Sequence, residues 1–139
     1  YVDDKIAGFD AVNNQIGRDT PNSKREHRLV VLPKYQGLGL GSYLSNTIAY
    51  LYTKYGWRYF SKTSNVMLGE YRQDRDDWKP TVTNLKKRTQ AKKQSGFTNW
   101  NVNVTRLCYS HEYHYQYDQE MEDRLKLHGL DLDKKIIDR

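Results

Sequence analysis

The sequence predicts an α/β (α+β) domain, and three observations carry that expectation. Strand-like and helix-like segments alternate from the start of the chain to Trp78. The run His27 to Leu32 (HRLVVL) has the length and continuous apolar character of a strand buried on both faces. Behind it, Leu44, Ile48, Leu51, Tyr52 and Tyr55 form one stripe of a 3.6-residue period.

The elements follow in order. Lys5 to Val12 (KIAGFDAV) comes after the turn pair Asp3-Asp4 and reads as a strand leaving a hairpin. Asn13 to Glu26 is polar, with Gly17, Pro21 and Asn22, and reads as a loop long enough to carry function. The buried strand then stops at Pro33. The helix of the apolar stripe ends where Gly56 takes the C′ position. Trp57 to Lys62 (WRYFSK) is the next strand. Asn65 to about Asp76 can form a short helix that Trp78, Lys79 and Pro80 close. Trp100 to Cys108 and Tyr109 to Tyr117 read as two strands, the second with Tyr109, His111, Tyr113, Tyr115 and Tyr117 on one face. Asp118 is a good N-cap for a terminal helix that ends at His128 before Gly129. Two units are expected, 1–117 and the helix and tail 118–139.

Composition narrows the function classes. No apolar run approaches the roughly 20 residues of a membrane helix, which points to a soluble, cytoplasmic protein without a membrane partner. Cys108 has no second cysteine to pair with, so it reads either as a buried structural thiol or as a reactive one. The net charge of +6 suits a polyanion, whether nucleic acid or a phosphate-rich cofactor. Within about 84–95, Lys86, Lys87, Arg88, Lys92 and Lys93 form a basic insert, which reads either as a solvated loop or as an arm for nucleic acid. His111 and His114 fall on opposite faces of one strand and make no metal pair.

The glycines at 37, 39 and 41 precede the apolar helix at alternate positions. A Walker loop needs a lysine after the glycines, and the dinucleotide fingerprint needs a third glycine where Ser42 or Leu44 stands, so both fail. What remains is a strand, Pro33, then Gln36-x-x-Gly39-x-Gly41, then a helix. Bare backbone N–H groups at a helix N-terminus converge on an anion such as pyrophosphate.

Val31-Leu32-Pro33-Lys34-Tyr35-Gln36-Gly37-Leu38-Gly39-Leu40-Gly41-Ser42-Tyr43-Leu44 resembles the cofactor-binding motif of the GNAT superfamily of N-acetyltransferases. Its flanks fit: KIAGFDAV looks like the family's third strand, HRLVVL its fourth, WRYFSK its fifth and TSNVMLGEYR the helix after it. The resemblance covers roughly Tyr1 to Trp78. It implies a mixed, mostly antiparallel sheet flanked by helices, and transfer of an acetyl group from acetyl-CoA to an amine without a metal. It further implies that main-chain groups of Val30, Val31 and Leu32 pair with the pantetheine arm, and that Gln36, Gly37, Leu38, Gly39, Leu40, Gly41 and Ser42 hold the pyrophosphate. Direct attack on a thioester needs a base for the amine proton and an acid for the leaving thiolate. Tyr71 sits where the family's acid falls if Ser64 takes the place of the usual asparagine; otherwise it is a core tyrosine. Glu26 and His27 stand where relatives supply a carboxylate base, and either could equally be a loop-end residue.

The resemblance also implies a missing N-terminal part, because the family's first strand and two helices, which wall the acceptor, have no counterpart here. The acceptor is therefore open. Two other readings stand beside the acetyltransferase: a nucleic-acid-binding or nucleic-acid-modifying protein using the basic insert, and a silent module that binds cofactor without turnover.

Overall fold

The computed structural model describes residues 1–15, 20–86 and 107–130. Among them the sheet has five strands: β1 (Gly8–Asn14), β2 (Ser23–Val31), β3 (Arg58–Thr63), β4 (Trp78–Pro80) and β5 (Tyr109–Tyr113). Their spatial order is β1-β2-β3-β5-β4. Only β2 and β3 run parallel; the other neighbours are antiparallel. The helix α1 (Leu40–Lys54) makes the crossover between that parallel pair, while α2 (Val66–Gln73) follows β3 and α3 (Gln119–Leu127) follows β5. The result is a mixed α/β fold whose mostly antiparallel sheet is flanked by three helices.

All three helices lie on one face of the sheet. Ser45 of α1 and Arg72 of α2 both reach Glu26 of β2, and Tyr50 of α1 bonds Glu122 of α3 at 2.7 Å. The core lies beneath them, where Ala49, Tyr50 and Leu51 meet Tyr59, Trp78, Tyr113, Met121 and Leu125. Met121 and Leu125 tie the terminal helix into the same core as the segment before it. Gly69 of α2 packs directly on the Tyr109 ring, where a Cβ would approach within 2.1 Å.

Local signals set the ends of the helices. Gly56 adopts a left-handed φ of 86° after α1. The Asp118 carboxylate accepts from the N–H groups of Glu120 and Met121. Asn65 caps α2 by accepting from Leu68 N–H.

Several expectations are corrected. Asn13 to Glu26 is not one loop: Asn13 and Asn14 extend β1, and Ser23 to Glu26 begin β2, because the two pair as a hairpin. The HRLVVL strand is not buried on both faces. His27 and Arg28 are exposed and Leu29 to Val31 half-buried, since among the described residues the helices cover only one face of the sheet. On α1 the predicted stripe is only partly covered. Ser45, Asn46, Ala49 and Tyr50 are buried instead, because α2 and α3 close over that flank. Trp78 to Pro80 does not close a helix but forms β4 on the edge of β5. The tyrosine-rich strand ends at Tyr113; beyond it Tyr115 packs on Tyr50 and Tyr117 is exposed. Cys108 is half-buried and free. The strand expected at Trp100 to Cys108 lies outside the described residues up to residue 106, as do Lys87, Arg88, Lys92 and Lys93. No helix among the described residues is long and apolar enough to cross a membrane.

Candidate functional site

The parallel pairing of β2 and β3 stops at Glu26 and Ser61. Beyond that point the strands separate, and among the described residues the edge of β2 facing β3 from His27 to Val31 has no strand partner. A cleft of about 880 Å³ opens between them, within the range of small-molecule sites. Its walls are β2, the end of β3 and the start of α2, and its outer end is the glycine turn.

That turn is shaped by backbone conformation. Gly37 and Gly39 have φ of 81° and 75°, in the left-handed region that β-branched residues resist. Gly39 is the N-cap of α1 and supplies no side chain, so the first N–H groups of the helix, those of Leu40, Gly41 and Ser42, have no intrahelical acceptor. The first turn carries no acid. Gly41 sits over Leu29 and Val31. The Gln36 amide bonds the Val31 carbonyl at 2.9 Å and so fastens the turn to the end of β2.

Tyr71 lines the cleft from α2. Its hydroxyl oxygen accepts from Asn46 Nδ2 at 2.8 Å and from Arg75 at 3.1 Å. The indole of Trp78 can only donate and bonds Asn46 Oδ1 at 2.9 Å, which fixes the amide so that its NH₂ faces Tyr71. Arg75 is held by both oxygens of Asp77, which keeps its pKa above the ordinary arginine value. The Tyr71 oxygen therefore receives two donors, and its own hydrogen finds no acceptor among the described residues.

Glu26 lies at the inner end of the cleft but is fully engaged. Its side chain is 5% exposed, and the fully buried Arg72 donates to it at 2.9 Å. Ser45 and Ser61 donate their hydroxyls to its two oxygens. Arg72 also stacks on the Trp78 ring, 4.3 Å from its centroid. His27 differs. Ala11 pairs with Arg28 and Val12 with Glu26, so His27 is the extra residue of a β-bulge, exposed on the cleft wall. Bulges of this kind re-aim a side chain.

Asp10 on β1 faces the same buried cluster. Burial raises its pKa to about 7, the Glu26 charge adds to the rise, and a bond from Tyr59 and the Arg72 charge offset part of it. One of its oxygens has no partner among the described residues. His111 is buried against Gln73 of α2, with its pKa lowered by burial and then by the Arg72 charge.

Of the residues singled out in the sequence, Glu26, His27, Tyr71, Val30, Val31 and Gln36 come together on this cleft, as do Gly37, Gly39, Leu40, Gly41 and Ser42. Leu32 and Leu38 do not; both side chains are exposed outside it. Arg72, Asn46, Arg75, Trp78 and Asp10 were not legible. The local signal for one of them was an arginine, Arg72, one helical turn after Leu68 on the apolar side of α2. No family model, curated protein or solved structure matches the chain.

Proposed function

We propose that the protein is an N-acyltransferase that takes an acetyl group from acetyl-CoA and passes it to an amine. The observation that carries this reading is the divergence of β2 and β3 beneath a glycine turn. An unpaired strand edge can hydrogen-bond the amides of a pantetheine arm as an added strand would. The bare N–H groups of Leu40, Gly41 and Ser42, with the helix dipole behind them, suit an anion such as a pyrophosphate.

The chemistry then follows from the residues around the cleft. The amine nitrogen attacks the thioester carbonyl, the C–S bond breaks, and the amine proton and thiolate must both be dealt with. Tyr71 donates its free hydrogen to the departing sulfur, and Asn46 and Arg75 already point at the oxygen that becomes negative. His27 takes the amine proton, imidazole being the side chain that does so near neutral pH. Glu26 is given a structural role, anchoring Arg72 at the point where the strands part.

Calorimetric titration with acetyl-CoA tests the reading. One-to-one binding that is lost in Gly39→Val is expected, because valine resists the positive φ the turn requires. Normal affinity in a folded Gly39→Val would exclude the turn as the pyrophosphate site. Release of free thiol on adding amines then tests turnover.

A further inference from the structure

Among the described residues no helix covers the face of the sheet opposite α1, α2 and α3, and that face is basic. Tyr59 and Ser61 of β3 point into the helix layer, so Arg58, Phe60 and Lys62 point away from it. By the same alternation Phe9 of β1, Arg25, Arg28 and Val30 of β2, Glu112 of β5 and Lys79 of β4 share the outer face, since Asp10, Glu26, Leu29, Val31, Tyr113 and Trp78 face inward. One transverse row reads Arg25, Phe60, Glu112, Lys79 across β2, β3, β5 and β4.

The face combines charge with aromatic surface. Among the described residues its cations are Arg25, Arg28, Arg58, Lys62 and Lys79, against Glu112, which is bound in bidentate fashion by Arg58, and Asp76, which lies 3.8 Å from Lys79. Arg25, Arg28 and Lys62 make no ion pair among the described residues, and all three are exposed. Phe9, on the edge strand β1, is 50% exposed, and Phe60 lies half-buried with the Arg58 guanidinium 4.9 Å over its ring. Phe9 pairs with Val30 beside the Ala11–Arg28 pair, and Phe60 pairs with Arg25, so each ring stands near a cation that has no ion partner among the described residues.

We propose that this face binds single-stranded nucleic acid. A flat sheet bearing exposed aromatic rings offers stacking platforms for unpaired bases, and flanking arginines and lysines meet the phosphates between them. Phe9 on β1 and Phe60 on β3 are two strand spacings apart, about 10 Å laterally, and are offset further along the strands, so each takes a base from a different part of the strand. A second copy of the chain is disfavoured as occupant, because two such faces repel. Arg28 and Lys62 also stand at the rim of the cleft, so a strand crossing the face runs past its mouth. The proposal concerns a surface distinct from the acyl-transfer site and does not depend on that reading.

Fluorescence anisotropy with a labelled 15-nucleotide oligo-dT, a duplex of the same length, polyglutamate and phosphatidylserine vesicles tests it. The expected result is preference for oligo-dT, with log K against log salt falling at a slope of about −2 to −3, as three or four phosphate contacts require. Phe9→Ser is expected to weaken oligo-dT binding about tenfold and to leave residual polyglutamate binding unchanged. Arg25→Gln with Lys79→Gln should flatten the salt slope, with far-ultraviolet circular dichroism showing both variants folded. Absence of binding by the parent protein overturns the proposal. So does equal affinity for polyglutamate or vesicles, or binding that survives all three substitutions, which would locate it elsewhere on the chain.

Discussion

Glu26→Gln separates a structural carboxylate from a catalytic one. Its side chain and that of Arg72 are 5% and 0% exposed, so the substitution leaves a guanidinium buried against two serine hydroxyls and a neutral amide. Breaking a buried pair by removing one partner costs about 3–5 kcal/mol. Small domains unfold with a urea dependence of about 1–3 kcal/mol per molar, so the midpoint should fall by roughly 2 M. Arg72→Leu should cost a similar amount. Combining Arg72→Leu with Glu26→Leu should recover part of the loss, since both charges then leave the interior. The assay is equilibrium urea unfolding of the four proteins, read by tryptophan fluorescence and far-ultraviolet circular dichroism together. A loss below about 1 kcal/mol in Glu26→Gln, accompanied by a large fall in turnover, would refute the structural assignment and make Glu26 the base.

Other outcomes follow from the same geometry. Tyr71→Phe removes the hydroxyl that the proposed mechanism uses as the acid, so turnover is expected to drop about 100-fold, with calorimetric affinity for acetyl-CoA unchanged. Unchanged turnover would make Tyr71 a packing residue. Asp10 has a folded-state pKa of about 7 against an ordinary 3.8, so the folded protein holds that proton more tightly than the unfolded chain. Stability should therefore decline as pH rises from about 4 to 7, by at most roughly 4 kcal/mol at about 1.4 kcal/mol per unit. Asp10→Asn should remove the decline, unfolding at higher urea than the parent at pH 8 and at nearly the same urea at pH 4. A parallel pH profile in the two proteins would contradict the assignment.

What the sequence by itself determined was local. The end of α1 at Gly56, the start of α3 at Asp118 and the strand, glycine turn and helix around Gly39 are set by backbone conformation and by bonds between residues a few positions apart. Those interactions operate before any tertiary contact exists, and so they are legible in a short window. The resemblance carried by Gln36 to Ser42 rests on the same local pattern.

Only the tertiary structure decided how the pieces meet. Trp78 to Pro80 reads as a helix stop, and it becomes a strand because β5 arrives between it and β3 to supply its hydrogen bonds. Glu26 reads as a loop-end carboxylate, and it becomes an ion-pair anchor because Arg72, 46 residues later, is folded onto it. Asn46 and Trp78 orient Tyr71 from a different helix and an edge strand, and His27 stands out from the cleft wall because β1 pairs across it with one residue to spare. Burial and electrostatic pairing depend on distance in space, and chain separation does not encode that distance until the sheet order is set.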